Sequence, residues 1–162
     1  MNIRKGLALN PKSRVTVAAL CLFLALTGCE RRGKVERGIL QEIHHSCAIK
    51  NSCTIRIKDF TPFDWDRMYF FTGQGNSQDR SDALGTREEG YREFEEQLVF
   101  LKNGHIVYQE SEPTNIEKRV RNDVVFQFLG NQNFIFFEPK AVFSVSVEEG
   151  SDGPWYLLNE IK

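Results

Sequence analysis

The chain has 162 residues, of which 41% are hydrophobic, 27% charged and 12% aromatic. This length and composition fit one compact domain and exclude a disordered or fibrous chain. If residues 1–28 are removed, for reasons given below, four of the 21 Lys and Arg residues are lost, which leaves 17 against 22 Asp and Glu, a formal charge of −5. Such an acidic balance is not typical of a nucleic-acid-binding protein, and no nucleic-acid partner is expected.

The N-terminal segment has the layout of a secretory signal peptide. Residues 1–14 contain four basic side chains and no acid, and the apolar run Val15 to Leu26 follows, interrupted only by Thr16. A helix of about 12 residues rises about 18 Å, short of the roughly 30 Å hydrocarbon core of a bilayer. We therefore expect residues 1–28 to be a cleaved signal, in preference to a transmembrane helix or a buried core helix.

The apolar run closes with Leu26-Thr27-Gly28-Cys29. This tetrapeptide resembles the lipobox of bacterial lipoproteins, which has a Leu, two small residues and a Cys. The resemblance implies a diacylglyceryl group on the Cys29 thiol and cleavage by signal peptidase II between Gly28 and Cys29. The reaction requires a nucleophilic sulfur. Each buried methylene contributes about 0.8 kcal/mol, so two or three acyl chains anchor far more firmly than one.

The resemblance also predicts the organisation and location of the mature chain. Residues 29–33 form a short tether and residues 34–162 a single domain, attached to the bacterial cell envelope through lipid. Asp after the lipidated Cys is the usual inner-membrane retention signal of Gram-negative lipoproteins, and this chain has Glu30 there. We therefore expect the outer membrane, with the domain facing the periplasm.

The exported part retains two thiols, Cys47 and Cys53, once Cys21 leaves with the signal and Cys29 carries lipid. Two thiols in an oxidising compartment predict one disulfide that closes a short loop. Unpaired structural thiols are one alternative. Another is a soft metal site in which His44 and His45 join the two Cys around Zn²⁺ or Cu⁺, although the spacing fits no common zinc motif. We predict neither a metal nor a cofactor.

The first half of the mature chain predicts one helix and two strands. Apolar residues at helical spacing indicate a helix within Lys34 to Ser46, and alternation indicates a half-buried strand within Ser52 to Asp59. Arg67 to Phe71 is short and aromatic, as in a central strand. Gly73 to Gly85 is polar and predicts a mobile loop.

A second helix is predicted after this loop. Thr86 and Glu89 form a capping box, and Tyr91, Phe94 and Leu98 recur at helical spacing. The acidic residues of this segment would form a solvated helix face, or else a surface for a cation or a basic partner; they are Glu88, Glu89, Glu93, Glu95 and Glu96.

The second half predicts strands joined by tight turns. Asn103-Gly104 is the preferred dipeptide of a type I′ turn, which would set Lys102 opposite His105 and Phe100 opposite Val107. Gly130-Asn131 predicts a second hairpin over Val124 to Phe137. Further strands are expected at Ala141 to Val147 and at Trp155 to Leu158. The predicted fold is α+β, with an antiparallel β-sheet of about six to seven strands and two short helices.

The chain carries no nucleophile elbow, phosphate loop, metalloprotease helix or dinucleotide fingerprint. Asp64 and Asp66 flank Trp65, and two carboxylates in different surroundings can serve as acid and base. Turn or cap hydrogen bonds are the ordinary role for such residues. The stretch Phe63-Asp64-Trp65-Asp66-Arg67-Met68-Tyr69, ahead of the Gly-rich segment and the Asn103-Gly104 hairpin, resembles a loose set of small, mostly uncharacterised bacterial lipoproteins. No activity comes with this resemblance.

These observations favour a non-enzymatic domain that binds an envelope protein or polymer. Its expected binding surface combines the Trp65 region with the polar loop and consists of Asp64, Trp65, Asp66, Gly73, Gly75 and Asn76. One alternative is a periplasmic immunity or inhibitor protein whose acidic helix meets a basic toxin or enzyme. Another is a hydrolase that acts on an envelope polymer through Asp64 and Asp66, and a third is a spacer lipoprotein without a dedicated ligand.

Overall fold

The structure is a computed structural model, and it describes residues 32–47, 53–85, 92–114, 118–128 and 132–162. These residues contain eight strands and two α-helices. The helices are α1 (Lys34–Glu42) and α2 (Ser77–Leu84). The strands are β1 (Cys53–Ile55), β2 (Arg67–Phe71), β3 (Glu95–Lys102), β4 (His105–Pro113), β5 (Val124–Phe126), β6 (Phe134–Phe137), β7 (Val142–Gly150) and β8 (Gly153–Ile161). The fold is α+β, as predicted.

The strands divide between two four-stranded sheets. The front sheet has the order β4-β3-β2-β6 and is antiparallel throughout, and the back sheet has the order β1-β7-β8-β5. In the back sheet β5 runs parallel to β8, whereas the other pairs are antiparallel. The predicted sheet of about six to seven antiparallel strands is therefore two sheets with eight strands, because pairing between distant segments splits the apolar runs into separate layers.

The main core lies between the two sheets and α1. Alternation along β2 directs Met68 and Phe70 into this core, and it directs Tyr69 and Phe71 to the outer face of the front sheet. There Leu84 of α2 joins the second cluster. Because β2 is central and covered on both faces, its sequence is a continuous apolar run.

Several predicted elements are confirmed. The helix predicted within Lys34 to Ser46 is α1, which continues into a π-helical turn at Ile43–Cys47. The predicted central strand is β2, and the two last strands are β7 and β8. The strand predicted within Ser52 to Asp59 is shorter than expected, because β1 ends at Ile55 and Ile57–Phe60 forms a 3₁₀ turn.

The segment predicted as a mobile loop, Gly73 to Gly85, contains α2, and the loop prediction is wrong there. The Asn76 side chain accepts a hydrogen bond from Asp79 N at 2.8 Å and caps the helix, and Gly85 ends it at φ 67°. The helix lacks an apolar stripe because its most buried side chain is Arg80. The Arg80 guanidinium lies 5.0 Å from the Phe71 ring centroid and donates to Glu95 O at 3.2 Å.

The helix predicted to begin near Thr86 does not extend to Leu98. The capping box lies outside the described residues, but Glu95–Lys102 is strand β3. The period-two pattern of Leu98 and Phe100, which both face the main core, prevails over the helical spacing. The acidic helix face is therefore wrong for Glu95 and Glu96, which begin the strand.

One predicted hairpin is confirmed and the other is wrong. Asn103 and Gly104 both have positive φ, 52° and 77°, and Lys102 pairs with His105. A register shift at Phe100/Leu101 places Phe100 opposite Tyr108 instead of Val107. At Val124 to Phe137, β5 joins the back sheet and β6 the front sheet, so the two strands do not pair with each other. The predicted Gly130-Asn131 turn lies outside the described residues.

Candidate functional site

Acidic side chains collect at one end of the inner face of the front sheet. Alternation along β4 places Tyr108, Glu110 and Glu112 on that face. The strand register sets Glu96 of β3 opposite Glu112. Like charges directly opposite each other destabilise a sheet, so this end needs compensating contacts.

The compensating contacts come first from the beginning of α1. Glu110 accepts hydrogen bonds from Val35 N at 3.0 Å and from Glu36 N at 2.9 Å. Glu112 accepts from Gly33 N at 2.6 Å. Gly33 has no side chain to cap its own helix, so these carboxylates satisfy N–H groups that lack partners within the helix and meet its positive dipole end.

Gly33 is the residue that allows this close approach. A Cβ at position 33 would lie 2.1 Å from Glu110 Cδ, a separation that non-bonded atoms do not reach. Any larger residue would therefore displace the Glu110 side chain from the first turn of α1.

Arg32 holds the start of α1 against a second part of the chain, the 121–122 segment. Its guanidinium donates to Asn122 O at 2.6 Å and to Arg121 O at 3.2 Å. It also donates to Glu36 Oε1 at 3.1 Å, a bond that a carboxyl group accepts in either protonation state. The first described residues are thus bonded both to β4 and to the segment that precedes β5.

Five carboxyl groups line one cavity at this place, and we call them the carboxylate clamp: Glu36, Glu96, Glu110, Glu112 and Asp123. The cavity has a volume of about 40 Å³ that water molecules can occupy. One water requires roughly 10 to 15 Å³ by this measure, so the cavity has room for a few waters and not for a large ligand. Within the described residues no group of His, Cys, Asp or Glu is arranged to hold a metal ion.

Burial changes the protonation of the clamp. It raises the pKa of Glu36 from 4.5 to about 8, against the effect of Arg32, and the nearby Glu112, Glu110 and Asp123 carboxylates add to the rise. Glu36 is therefore protonated at neutral pH.

Two further acids of the clamp shift in the same direction. Burial raises the pKa of Glu96, although Arg119 donates to its Oε1 at 2.7 Å and opposes the rise. Burial also raises the pKa of Glu112, in spite of the Gly33 N–H bond. Burial, followed by the hydrogen bond to Glu110, raises the pKa of Tyr108 to about 12. The clamp is thus less negative at neutral pH than its five acids suggest.

The three predicted residues around Trp65 do not form one surface. Trp65 is buried, donates to Thr61 Oγ1 at 2.8 Å and packs edge-on against Phe100. Asp64 is exposed, and the Lys58 ammonium 3.0 Å away lowers the pKa of Asp64. Asp66 accepts from Asn103 N at 2.7 Å and holds the β3–β4 turn. Each carboxylate thus makes a local structural contact of its own.

The other predicted residues support α2. Gly73 and Gly75 are buried, and Asn76 is the helix cap. Of the six residues of the predicted binding surface, Trp65, Gly73 and Gly75 are therefore buried. Asp64, Asp66 and Asn76 are exposed. The polar composition that suggested such a surface arises from a helix cap and from close backbone packing.

An accessible cleft lies on the outer face of the front sheet, and we call it the outer cleft. It has about 440 Å³ of space between the end of α2 and the β3–β4 turn. The buried side chains of Tyr69, Leu84 and Leu101 form its floor, and the exposed Asp66 and Asp82 stand at its edge. This volume falls in the range of about 300 to 1,000 Å³ that is typical of ligand pockets.

The disulfide between Cys47 and Cys53 is formed, with the Cα atoms 5.2 Å apart. It joins the end of the π-helical turn to the start of β1, and it confirms the predicted pairing. Because the two sulfur atoms are bonded to each other, neither is a thiolate, and the alternative metal site at Cys47 and Cys53 is not formed. His44 Nε2 lies 3.0 Å from the Tyr156 hydroxyl.

Sequence reasoning missed the carboxylate clamp. The signal was present in the alternation Tyr108-Gln109-Glu110-Ser111-Glu112, but only the structure shows that α1 meets this face.

Comparison with protein-family models, curated proteins and solved structures gave no match. The tetrapeptide that resembles a lipobox, Leu26 to Cys29, lies outside the described residues. Among the described helices, none has the length and apolar character needed to cross a bilayer.

Proposed function

We propose that the chain is a lipid-anchored lipoprotein of the bacterial cell envelope, held at the outer membrane, and that its folded part is a non-enzymatic binding domain. The observation that carries the proposal is the set of hydrogen bonds that hold Arg32 and Gly33, where the proposed tether joins the domain. Cys29 lies only three residues before Arg32. Arg32 and Gly33 are bonded to the 121–122 segment and to β4. A lipid at Cys29 would therefore act on a segment that is firmly held.

The disulfide supports export. Structural disulfides persist in oxidising compartments such as the periplasm and are rare in the cytosol. The Cys47–Cys53 bond closes a loop that contains the start of β1, next to the core. An exported domain would gain stability from this bond, whereas a cytosolic one would hold two reduced thiols there.

The outer cleft supports the binding role. It includes Leu101 and Gly104, whereas the carboxylate clamp includes Glu96 at the other end of β3. Leu101 lies five positions along the strand from Glu96, a distance of about 17 Å. A domain anchored beside the clamp would hold the outer cleft away from the membrane, and anchoring would raise the local concentration of the cleft for an envelope partner.

Two alternatives have less support. A hydrolase would need Asp64 and Asp66 to act together, but Lys58 holds one and the β3–β4 turn holds the other. An immunity or inhibitor protein was inferred from an acidic helix, and Glu96 faces the inner cavity instead. The proposed binding domain rests on neither feature.

Membrane fractionation tests the anchoring. The wild-type chain and a Cys29→Ala variant are expressed in a Gram-negative bacterium and followed by antibody. We expect the wild type in the outer-membrane fraction and the variant to leave that fraction, because the acylated sulfur is lost. An unchanged distribution of the variant would contradict the proposal.

Site-specific photo-crosslinking in intact cells tests the binding role. The photoreactive residue replaces Asp82 at the outer cleft, and a control replaces Glu160, which is exposed on the back sheet. A binding cleft predicts a discrete crosslinked species from position 82 that is absent from position 160. If position 82 gives none, or both positions give the same species, the outer cleft is not the binding site.

A further inference from the structure

Phe94 is an exposed aromatic residue with a strained backbone. It is 56% exposed, the largest fraction among the exposed large hydrophobic side chains of the described residues. Its φ is 64°, in the left-handed region that bulky residues rarely adopt. Strained residues persist only where the surrounding structure imposes them, and they cluster at functional contacts.

The surrounding structure holds the Phe94 main chain on both sides. Phe94 N donates to Gly73 O at 3.3 Å, and Thr114 N donates to Phe94 O at 2.8 Å. Gly73 is required for this approach, since a Cβ there would lie 2.5 Å from Thr114 Cγ2 and 3.2 Å from Phe94 Cα. The Phe94 side chain is thus displayed outward by a fixed backbone and is not a mobile loop residue.

Phe94 lies at the end of the domain where the tether joins. Glu112 of β4 binds Gly33 N, and the next pair along the same ladder is Glu95 with Pro113. The hydrogen bond between Thr114 and Phe94 follows directly. Phe94 is therefore about two strand residues, or about 7 Å, beyond the contact that holds Gly33.

Three other side chains near this end are exposed, as Phe94 is. Val120 is 38% exposed, and it precedes Arg121, whose carbonyl accepts from Arg32. The side chains of Arg92 and Arg121 are exposed as well. We call Arg92, Phe94, Val120 and Arg121 the tether-end surface. Exposed Glu93 adjoins Phe94, and exposed Asp152 precedes Gly153, which lies beside the Arg121 side chain, so the surface is not strongly cationic.

We propose that the tether-end surface contacts the lipid bilayer, with the Phe94 ring inserted among the headgroups. This inference rests on the proposed lipid anchor, because the three residue-to-residue steps from Cys29 to Arg32 span at most about 11 Å. Aromatic rings are favoured at the membrane interface, and arginine side chains bind lipid phosphates. Since acids flank the surface, apolar insertion contributes more than charge, and the contact does not require anionic lipid.

Site-directed spin labelling tests the contact. The full chain, lipidated in the expression host, carries a single added Cys at position 94, at 120 or at control position 136. It is reconstituted into phosphatidylcholine vesicles. Phe136 is the matched control because it is 50% exposed on the outer face of the front sheet. We expect collisions with a water-soluble paramagnetic reagent to fall several-fold at 94 and 120 on reconstitution and to be unchanged at 136.

The outcomes separate this inference from the proposed function. If the protein sediments with the vesicles but label 94 stays as accessible as label 136, the anchor stands and the membrane contact is refuted. If the protein does not sediment, the anchor fails and the contact fails with it. If protection at 94 disappears when more lipid is added per protein, a second copy of the chain covers Phe94, and the lipid contact is refuted. Position 120 gives a second reading where the label at 94 prevents folding.

Discussion

Replacement of Glu36 by Gln tests the physical description of the carboxylate clamp. Gln keeps an oxygen for the hydrogen bond from Arg32 but cannot ionise. The folded-state pKa of Glu36 is about 8 against 4.5 as the ordinary value, so the folded chain keeps a proton that the unfolded chain releases. The associated stability is fully present below about pH 4.5 and is lost as pH rises towards about 8.

The magnitude follows from the size of the shift. One pKa unit corresponds to about 1.4 kcal/mol, so release of the Glu36 proton in the unfolded chain lowers the free energy of unfolding by about 3 kcal/mol at about pH 7. The side chain is only 15% exposed, so solvent screening reduces this figure little. We expect Glu36→Gln to be more stable than the wild type by about 3 kcal/mol at about pH 7, and equal to it at about pH 4.

Urea unfolding followed by circular dichroism over this pH range measures the effect. Glu160→Gln is the matched control, because Glu160 is exposed on the back sheet and its charge contacts no buried acid of the clamp. If Glu36→Gln shows the same fall in stability with pH as the wild type, Glu36 is already ionised in the folded chain. Such a result would refute the raised pKa of Glu36 and its cause in burial.

Four further variants test other parts of the structure. Gly33→Ala places a methyl group against Glu110 and should cost about 1 to 3 kcal/mol in thermal unfolding, and an unchanged melting temperature would count against the close contact. Arg80→Leu removes the guanidinium that donates to Gln97 and Glu95 O, so hydrogen exchange of the α2 amides should accelerate by at least tenfold; retained protection would show that α2 does not depend on Arg80. Phe94→Asn should raise the free energy of unfolding by about 1 kcal/mol, because Asn tolerates positive φ, and a loss of stability would show that the Phe94 side chain packs. The Cys47→Ser, Cys53→Ser double variant should lose about 2 kcal/mol on the loop-entropy relation, and an unchanged urea midpoint would contradict that prediction.

Local patterns predicted those elements whose stabilising contacts are close in sequence. The apolar stripe of α1, the Asn103-Gly104 turn and the short spacing of Cys47 and Cys53 each act within a few residues. Their geometry therefore follows from propensity and turn chemistry. The disulfide also depended on the expected compartment, which the signal-like N-terminus supplied.

The elements that were missed depend on distant segments. The buried face of α2 is formed around Arg80, which no hydrophobic pattern would place inside, and its partners Phe71, Gln97 and Glu95 belong to two strands. The parallel pairing of β5 with β8 joins segments about thirty residues apart, whereas the Gly130-Asn131 signal favoured a local hairpin.

The carboxylate clamp was beyond sequence reasoning for the same reason. Its acids come from α1, β3, β4 and the segment before β5. A run of acidic residues usually predicts a solvated surface, and Glu95 and Glu96 belong to such a run in the sequence. The approach of the α1 N-terminus to β4 supplies backbone N–H partners for Glu110 and Glu112, and no pattern in the sequence shows that approach.

The most direct test of the central claim is the mass of the N-terminal peptide of the protein extracted from cell membranes. We expect a mature chain that begins at Cys29 and carries a diacylglyceryl group on its sulfur. We also expect this peptide to be absent when Cys29 is replaced by Ala. A chain that begins at Met1, or a Cys29 with a free thiol, would contradict the anchor and the orientation of the domain inferred from it.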